Sequence, residues 1–193
     1  MPELKGSRTE ANLAAAFAGE SQASIKYAYY AAQARKEGHI EVSDIFSETA
    51  ANEHAHGKIW FKLLHDGQVP GTEVNLMDAA QSEHYERSEM YVGFAREAEE
   101  EGFTHIAALF RMVAQIEHRH ELRFLGFHTA LEEDALYQKE TDISWICMNC
   151  GYVCFGKNAP KVCPVCAHPQ GFFRETNEQA PPTWNRLVLY SAL

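Results

Sequence analysis

Residues 46–65 read FSETAANEHAHGKIWFKLLH, and residues 110–127 read FRMVAQIEHRHELRFLGF. In both, apolar residues recur at spacings of three and four, the pattern of an amphipathic helix. In both, the apolar stripe is interrupted by a Glu-x-x-His pair, Glu53 with His56 and Glu117 with His120. Residues three apart lie about one turn from each other on one helix face. The first stripe runs Phe46, Thr49, Glu53, His56, Trp60, Leu63; the second runs Ile106, Phe110, Val113, Glu117, His120, Phe124, Phe127. Turning the carboxylates to water would turn these aromatic and aliphatic side chains to water as well.

Two further stretches share the pattern. Residues 9–36 carry Leu13, Phe17, Glu20, Ser24, Tyr27 and Ala31 on one face, and residues 75–101 carry Leu76, Ala79, Glu83, Glu86, Met90 and Phe94. With helices expected over 43–65 and from Thr104 to about Tyr137, the reading is four helices. Gly38, Gly67 and Gly102 serve as stops after the first three. Four amphipathic helices with short connections predict a bundle. Each seam is apolar at its ends and polar at mid-height. The echo of Glu53-His54-Ala55-His56 in Glu117-His118-Arg119-His120 suggests two helical hairpins related by a pseudo-twofold axis.

Glu20, Glu53, Glu83, Glu86 and Glu117 thus point into a helical core together with His56 and His120. One unpaired buried carboxylate costs several kcal/mol after relaxation, and no Lys or Arg stands at mid-seam. Two divalent cations would neutralise most of this charge, the arrangement of di-iron and di-manganese carboxylate bundles. Carboxylate with a little imidazole suits iron or manganese and disfavours soft ions; zinc in vitro is the remaining alternative. His54 and His118 stand about 100° round the helix from a ligand, and Glu97 is eleven residues past Glu86; none is expected at the site. Tyr27 and Tyr91 are candidates for hydrogen-bond donors beside it, or for redox-active groups, against the plain alternative of core tyrosines.

All five cysteines lie between residues 147 and 166. Cys147, Cys150, Cys163 and Cys166 form C-x2-C-x12-C-x2-C, two knuckles of a tetrahedral thiolate site. Trp145, Tyr152, Phe155, Phe172 and Phe173 are expected to wrap it, which favours a redox iron over a structural zinc ribbon. Four thiolates leave no open position, so such a site relays single electrons while the carboxylate site meets the oxidant. Cys154 is expected to be a free thiol.

The formal net charge of −10 argues against binding nucleic acid. No apolar run reaches membrane-spanning length, and MPELKGSRTE lacks an apolar signal core; the expected location is the cytoplasm. The expected domains are a mainly α ferritin-like bundle over 1–138, a four-cysteine domain over 139–175, and a tail over 176–193 left unassigned. Residues 131–144 look like a helix end and linker.

The sequence resembles the rubrerythrins over residues 5–173. The likeness rests on AFAGESQA around Glu20, the Glu53-x-x-His56, Glu83-x-x-Glu86 and Glu117-x-x-His120 pairs, and the rubredoxin-like knuckles CMNCGY and CPVC. It implies three irons per chain and a peroxidase reducing hydrogen peroxide to water in oxidative-stress defence. Electrons would come from rubredoxin or an NAD(P)H-dependent reductase. It also implies bridging roles for Glu53 and Glu117, terminal roles for Glu20, Glu83 and His120, and one iron exchanging between Glu86 and His56 with redox state. Ala167 follows Cys166 where rubredoxins usually have Gly, which puts strain on that turn. The competing readings are an iron-oxidising storage protein, which predicts a large shell, and a non-enzymatic module with a zinc ribbon.

In a ferritin-like bundle the second and third helices are parallel. From Glu53 to the helix end is about 20 Å and from Asn75 to Glu83 about 12 Å, whereas residues 67–74 reach only about 26 Å. The expectation is therefore a homodimer or larger assembly with exchanged hairpins.

Overall fold

The computed structural model of the chain describes residues 2–178. Two compact units divide it between Gly71 and Thr72. The first is a hairpin of α1 (Arg8–Lys36) and α2 (Ile40–Leu64). Its start is capped much as in a capping box: the Ser7 hydroxyl accepts from the Glu10 N–H at 3.1 Å, and the Glu10 carboxylate accepts from the N–H of Gly6, the residue before the cap, at 2.6 Å. Gly38 ends α1 in the left-handed region, φ +86°, as His39 donates back to the Ala34 carbonyl. The helices meet through small residues. Ala31, Ala34, Ser43, Ala50 and Gly57 are buried, and the Ser24 hydroxyl donates to the Ala50 carbonyl at 2.9 Å.

The second unit begins with α3 (Thr72–Tyr85), which runs into a π turn (Glu86–Met90) and then α4 (Tyr91–Glu100). Gly102 reverses the chain at φ +87° into α5 (Thr104–Glu132). Helix α5 stops five residues short of the expected Tyr137. Asp134 takes the left-handed conformation, φ +52°, and Ala135 donates to the Ala130 carbonyl; Asp tolerates that region better than most residues.

The reading of residues 131–144 as helix end and linker holds up to Tyr137 and is corrected beyond it. The charged stretch from Gln138 already belongs to β1 (Gln138–Cys147), which pairs antiparallel with β2 (Val153–Asn158) and β3 (Phe173–Thr176) in the order β2-β1-β3. Gln138–Asp142 alternates no apolar residues because it has no buried face. Trp145, Cys147, Ala159, Cys163 and Phe173 form the core of this small sheet, with Tyr152 packed against it. The expected aromatic wrap is only partly formed. Phe155, on edge strand β2, is half exposed, and Phe172 is exposed and stacks edge-on against His168. The tail residues Trp184–Leu193 lie outside the described residues.

Candidate metal centres

In the first unit, α1 carries Glu20 and α2 carries Glu53 and His56. One ligand atom from each lies within 4.8 Å of the other two. His56 Nδ1 stands 3.0 Å from Glu53 Oε2 and 3.8 Å from Glu20 Oε1. Close helix contact makes this possible: a Cβ built on Gly57 would lie 3.7 Å from the Glu20 Cβ. Tyr27 packs about two turns along α1 from Glu20, in an aromatic group with Tyr30 and Phe46.

The second unit repeats the triad. Glu83 of α3 meets Glu117 and His120 of α5 within the same 4.8 Å. His120 Nδ1 is 2.7 Å from Glu117 Oε2 and 3.7 Å from Glu83 Oε1. Burial, then repulsion from Glu117, hold the Glu83 carboxyl above the usual carboxylate range. A cation between these oxygens would relieve that repulsion, so the donor set fits a metal. Glu86 is not part of this triad but adds to the field at Glu83.

Glu86 opens the π turn, and the Tyr91 N–H donates to its carbonyl five residues back. A π turn holds more residues per turn than an α-helix, so Tyr91 arrives over Glu86 again. In a plain α-helix a residue five past Glu86 would stand about 140° round from it. The Tyr91 hydroxyl is instead close enough to the acids that burial, then the charges of Glu86, Glu117 and Glu83, push its pKa up.

Sequence reasoning missed Glu121. It is buried and accepts from Arg87 through both oxygens, from His84 at 2.7 Å and from His118 at 3.2 Å. The Arg87 hydrogen bond leads the effects that hold its carboxyl down at about 2, with His84 and His118 contributing against the cost of burial. Its only signal was an acid one step past His120. His118 thus faces this network rather than the triad, and Glu97 is exposed, as expected of both. Glu73, His128 and Glu132 also come together at the far end of this hairpin, both acids in water.

The four knuckle cysteines offer sulfurs that all lie within 4.8 Å of one another. Cys147 with Cys166, and Cys150 with Cys163, are 3.7 Å apart. A tetrahedron with metal–sulfur bonds of about 2.3 Å has edges of about 3.8 Å, so this cage fits a metal. The two knuckles match: Gly151 donates to the Cys147 carbonyl at 2.8 Å, and Ala167 to the Cys163 carbonyl at 2.9 Å. Gly151 sits at φ +76°, and Ala167 is forced to φ +58°, the strain expected from Ala in place of Gly. The His168 backbone N–H draws the Cys166 thiol down to about 6. At Cys150 the Tyr152 N–H lowers the pKa, but burial and three crowded thiols carry it to about 12. Cys154 is half-buried against the core, its pKa raised by burial and then by Cys163.

A ferritin-like helical domain followed by a rubredoxin-like four-cysteine module defines the class of this chain. A family model described as Rubrerythrin matches residues 11–128, and one described as Rubrerythrin, rubredoxin-like domain matches residues 145–174. The rubrerythrin of Nitratidesulfovibrio vulgaris is 46% identical over 184 residues, 90% of this chain and 96% of that protein. The rubrerythrin of Porphyromonas gingivalis is 43% identical over 88% of this chain and 90% of its own length. A solved structure of partially reduced nigerythrin aligns at 28% identity and a TM-score of 0.34, covering 91% of this chain and 97% of that one; the assignment does not rest on it. The chain belongs to the rubrerythrin family. It is accordingly a di-iron oxidoreductase with a rubredoxin-like iron site at Cys147, Cys150, Cys163 and Cys166, of a family involved in oxidative-stress defence. Among the described residues no helix is long and apolar enough to cross a membrane.

Proposed function

We propose that this chain is a peroxidase that reduces hydrogen peroxide to two waters, taking two electrons and two protons per peroxide. Glu20, Glu53, His56, Glu83, Glu86, Glu117 and His120 would hold the two irons of the carboxylate site. When bound, the irons supply the two electrons that break the O–O bond. The chain's own groups do the rest. The paired Glu-x-x-His triads orient the ligands, and His56, more than half exposed at its side chain, has room to move. Tyr91 keeps its hydroxyl proton at neutral pH, so it donates a hydrogen bond or a proton at the mouth of the second triad. The cysteine cage, with Cys150 exposed, offers an edge through which an external reductase, a rubredoxin or an NAD(P)H-dependent protein, delivers single electrons.

One observation carries this reading: two matching carboxylate–imidazole triads stand in one chain with a four-thiol cage that has no open position. The test is an anaerobic titration of the fully reduced protein with hydrogen peroxide. One and a half equivalents per chain should reoxidise all three irons, the two of the carboxylate site together. Release of hydroxyl radical, or no reoxidation, would overturn it.

The assembly we propose is a homodimer with exchanged hairpins. Glu53 lies eleven residues before the end of α2, and Glu83 eleven after the start of α3, about 16 Å each. Parallel packing with both acids at one level needs about 33 Å of link. The eight steps from Leu64 to Thr72 span at most about 28 Å. They span less in fact, because Gly67 turns back to the Lys62 carbonyl. Large apolar side chains such as Ile45, Ile59, Ile106 and Ile116 are exposed on the two hairpins, faces that a second copy would bury. Each site would then take Glu20, Glu53 and His56 from one chain and the other ligands from its partner.

A further inference from the structure

In the second unit every proposed ligand is followed by a residue of one network. His84 follows Glu83, Arg87 follows Glu86, His118 follows Glu117, and Glu121 follows His120. The carboxylate of Glu121, 7% exposed, is the hub to which the other three donate. It ties α3 and the π turn to α5 at the level of the triad.

A buried ion pair adds little stability over apolar residues of equal volume; its best-attested role is to fix one register among several. A π turn is where register is in question, since one extra residue shifts the phase of everything beyond it. Arg87 lies inside that turn and His84 just before it, and both are held by one acid on the facing helix. Among the described residues the first hairpin shows no such device. Where the echo places Glu121, α2 has Gly57. His54, the counterpart of His118, lines an open cavity of about 480 Å³ with Glu53 instead.

We infer that Glu121 is a positioning residue that sets the aim of Glu83 and Glu86 against Glu117 and His120 through Arg87, His84 and His118. This rests on the assignment of those four residues as ligands. It adds that the two halves of the site differ, one braced and one free.

The test is titration of the full-length protein, its cysteine site already loaded with iron, with cobalt(II) as probe of the carboxylate site. Affinity and the visible cobalt spectrum are read together with the melting temperature. Glu121→Gln keeps the shape and removes the charge. It should bind cobalt about 10- to 100-fold more weakly, with an altered spectrum and unchanged thiolate absorbance. The double variant Arg87→Met, Glu121→Leu removes both charges and covers the case where Glu121→Gln folds poorly. It should regain the melting temperature while its cobalt affinity stays low. Wild-type affinity and spectrum in Glu121→Gln, or affinity returning with stability in the double variant, would overturn the inference. A wild-type chain that binds no cobalt beyond the cysteine site would overturn the ligand assignment itself, and the positioning role with it.

Discussion

The exchanged dimer can be tested by complementation between two damaged chains. One chain carries Glu20→Ala and Glu53→Ala in the first hairpin; the other carries Glu83→Ala and Glu117→Ala in the second. Each homodimer lacks a carboxylate pair in every site, whichever way the hairpins are arranged. The mixed dimer separates the alternatives. With exchange, one of its two sites unites two intact hairpins and the other two damaged ones, so it holds half the wild-type carboxylate-site iron. Without exchange every site is half damaged and binds none. The structural margin is the shortfall of about 5 Å between a needed 33 Å and a link of at most 28 Å. Six Gly/Ser residues inserted after Gly67 add about 20 Å of reach and should let single chains close. The assay uses two affinity tags, sequential purification of the mixed dimer, and iron analysis corrected for the thiolate absorbance. No carboxylate-site iron in a stable mixed dimer would refute the length argument.

Tyr91→Phe should slow reoxidation by peroxide, by up to about a hundredfold, at unchanged iron content; Tyr27→Phe, in its aromatic packing, should slow it far less. Stopped-flow absorbance on the reduced proteins measures both, and equal effects would remove Tyr91 from its proposed role. Ala167→Gly relieves the positive φ of the second knuckle and should stabilise the cysteine module by up to about 1 kcal/mol, seen as slower iron loss to a chelator; faster loss contradicts it. Cys163→Ser should abolish the red ferric thiolate colour, whereas Cys154→Ser should leave it intact, and a colourless Cys154→Ser protein would mean the cage is misassigned.

Much of this architecture is legible in the residues because each decisive feature has a local cause. Gly38 and Gly102 end helices at the positions where they adopt positive φ, and the Glu-x-x-His spacing alone brings each pair to one face. The features that escaped have causes that no local residue announces. Asp134 stops α5 without a glycine. Nothing in Glu86–Met90 marks a π turn, so Tyr91 could be named as a candidate donor but not the turn that returns it to the acidic face. Glu121 stood one residue off the stripe, and an acid in that position is ordinarily solvated; only the convergence of Arg87 and His84 from across the hairpin, with His118 one turn back on the same helix, explains its burial. Phe155 failed in the opposite sense: aromatic content suggested burial, but the edge strand leaves it in water.

The whole account depends on acidic side chains being gathered inside helices because metal neutralises them. Iron analysis of the Cys163→Ser protein, purified without oxygen and loaded with ferrous iron, isolates that claim from the thiolate centre. Two irons per chain, lost on further substitution of Glu53 and Glu117, is the predicted result. A folded protein that holds no iron once the cysteine site is broken would contradict it.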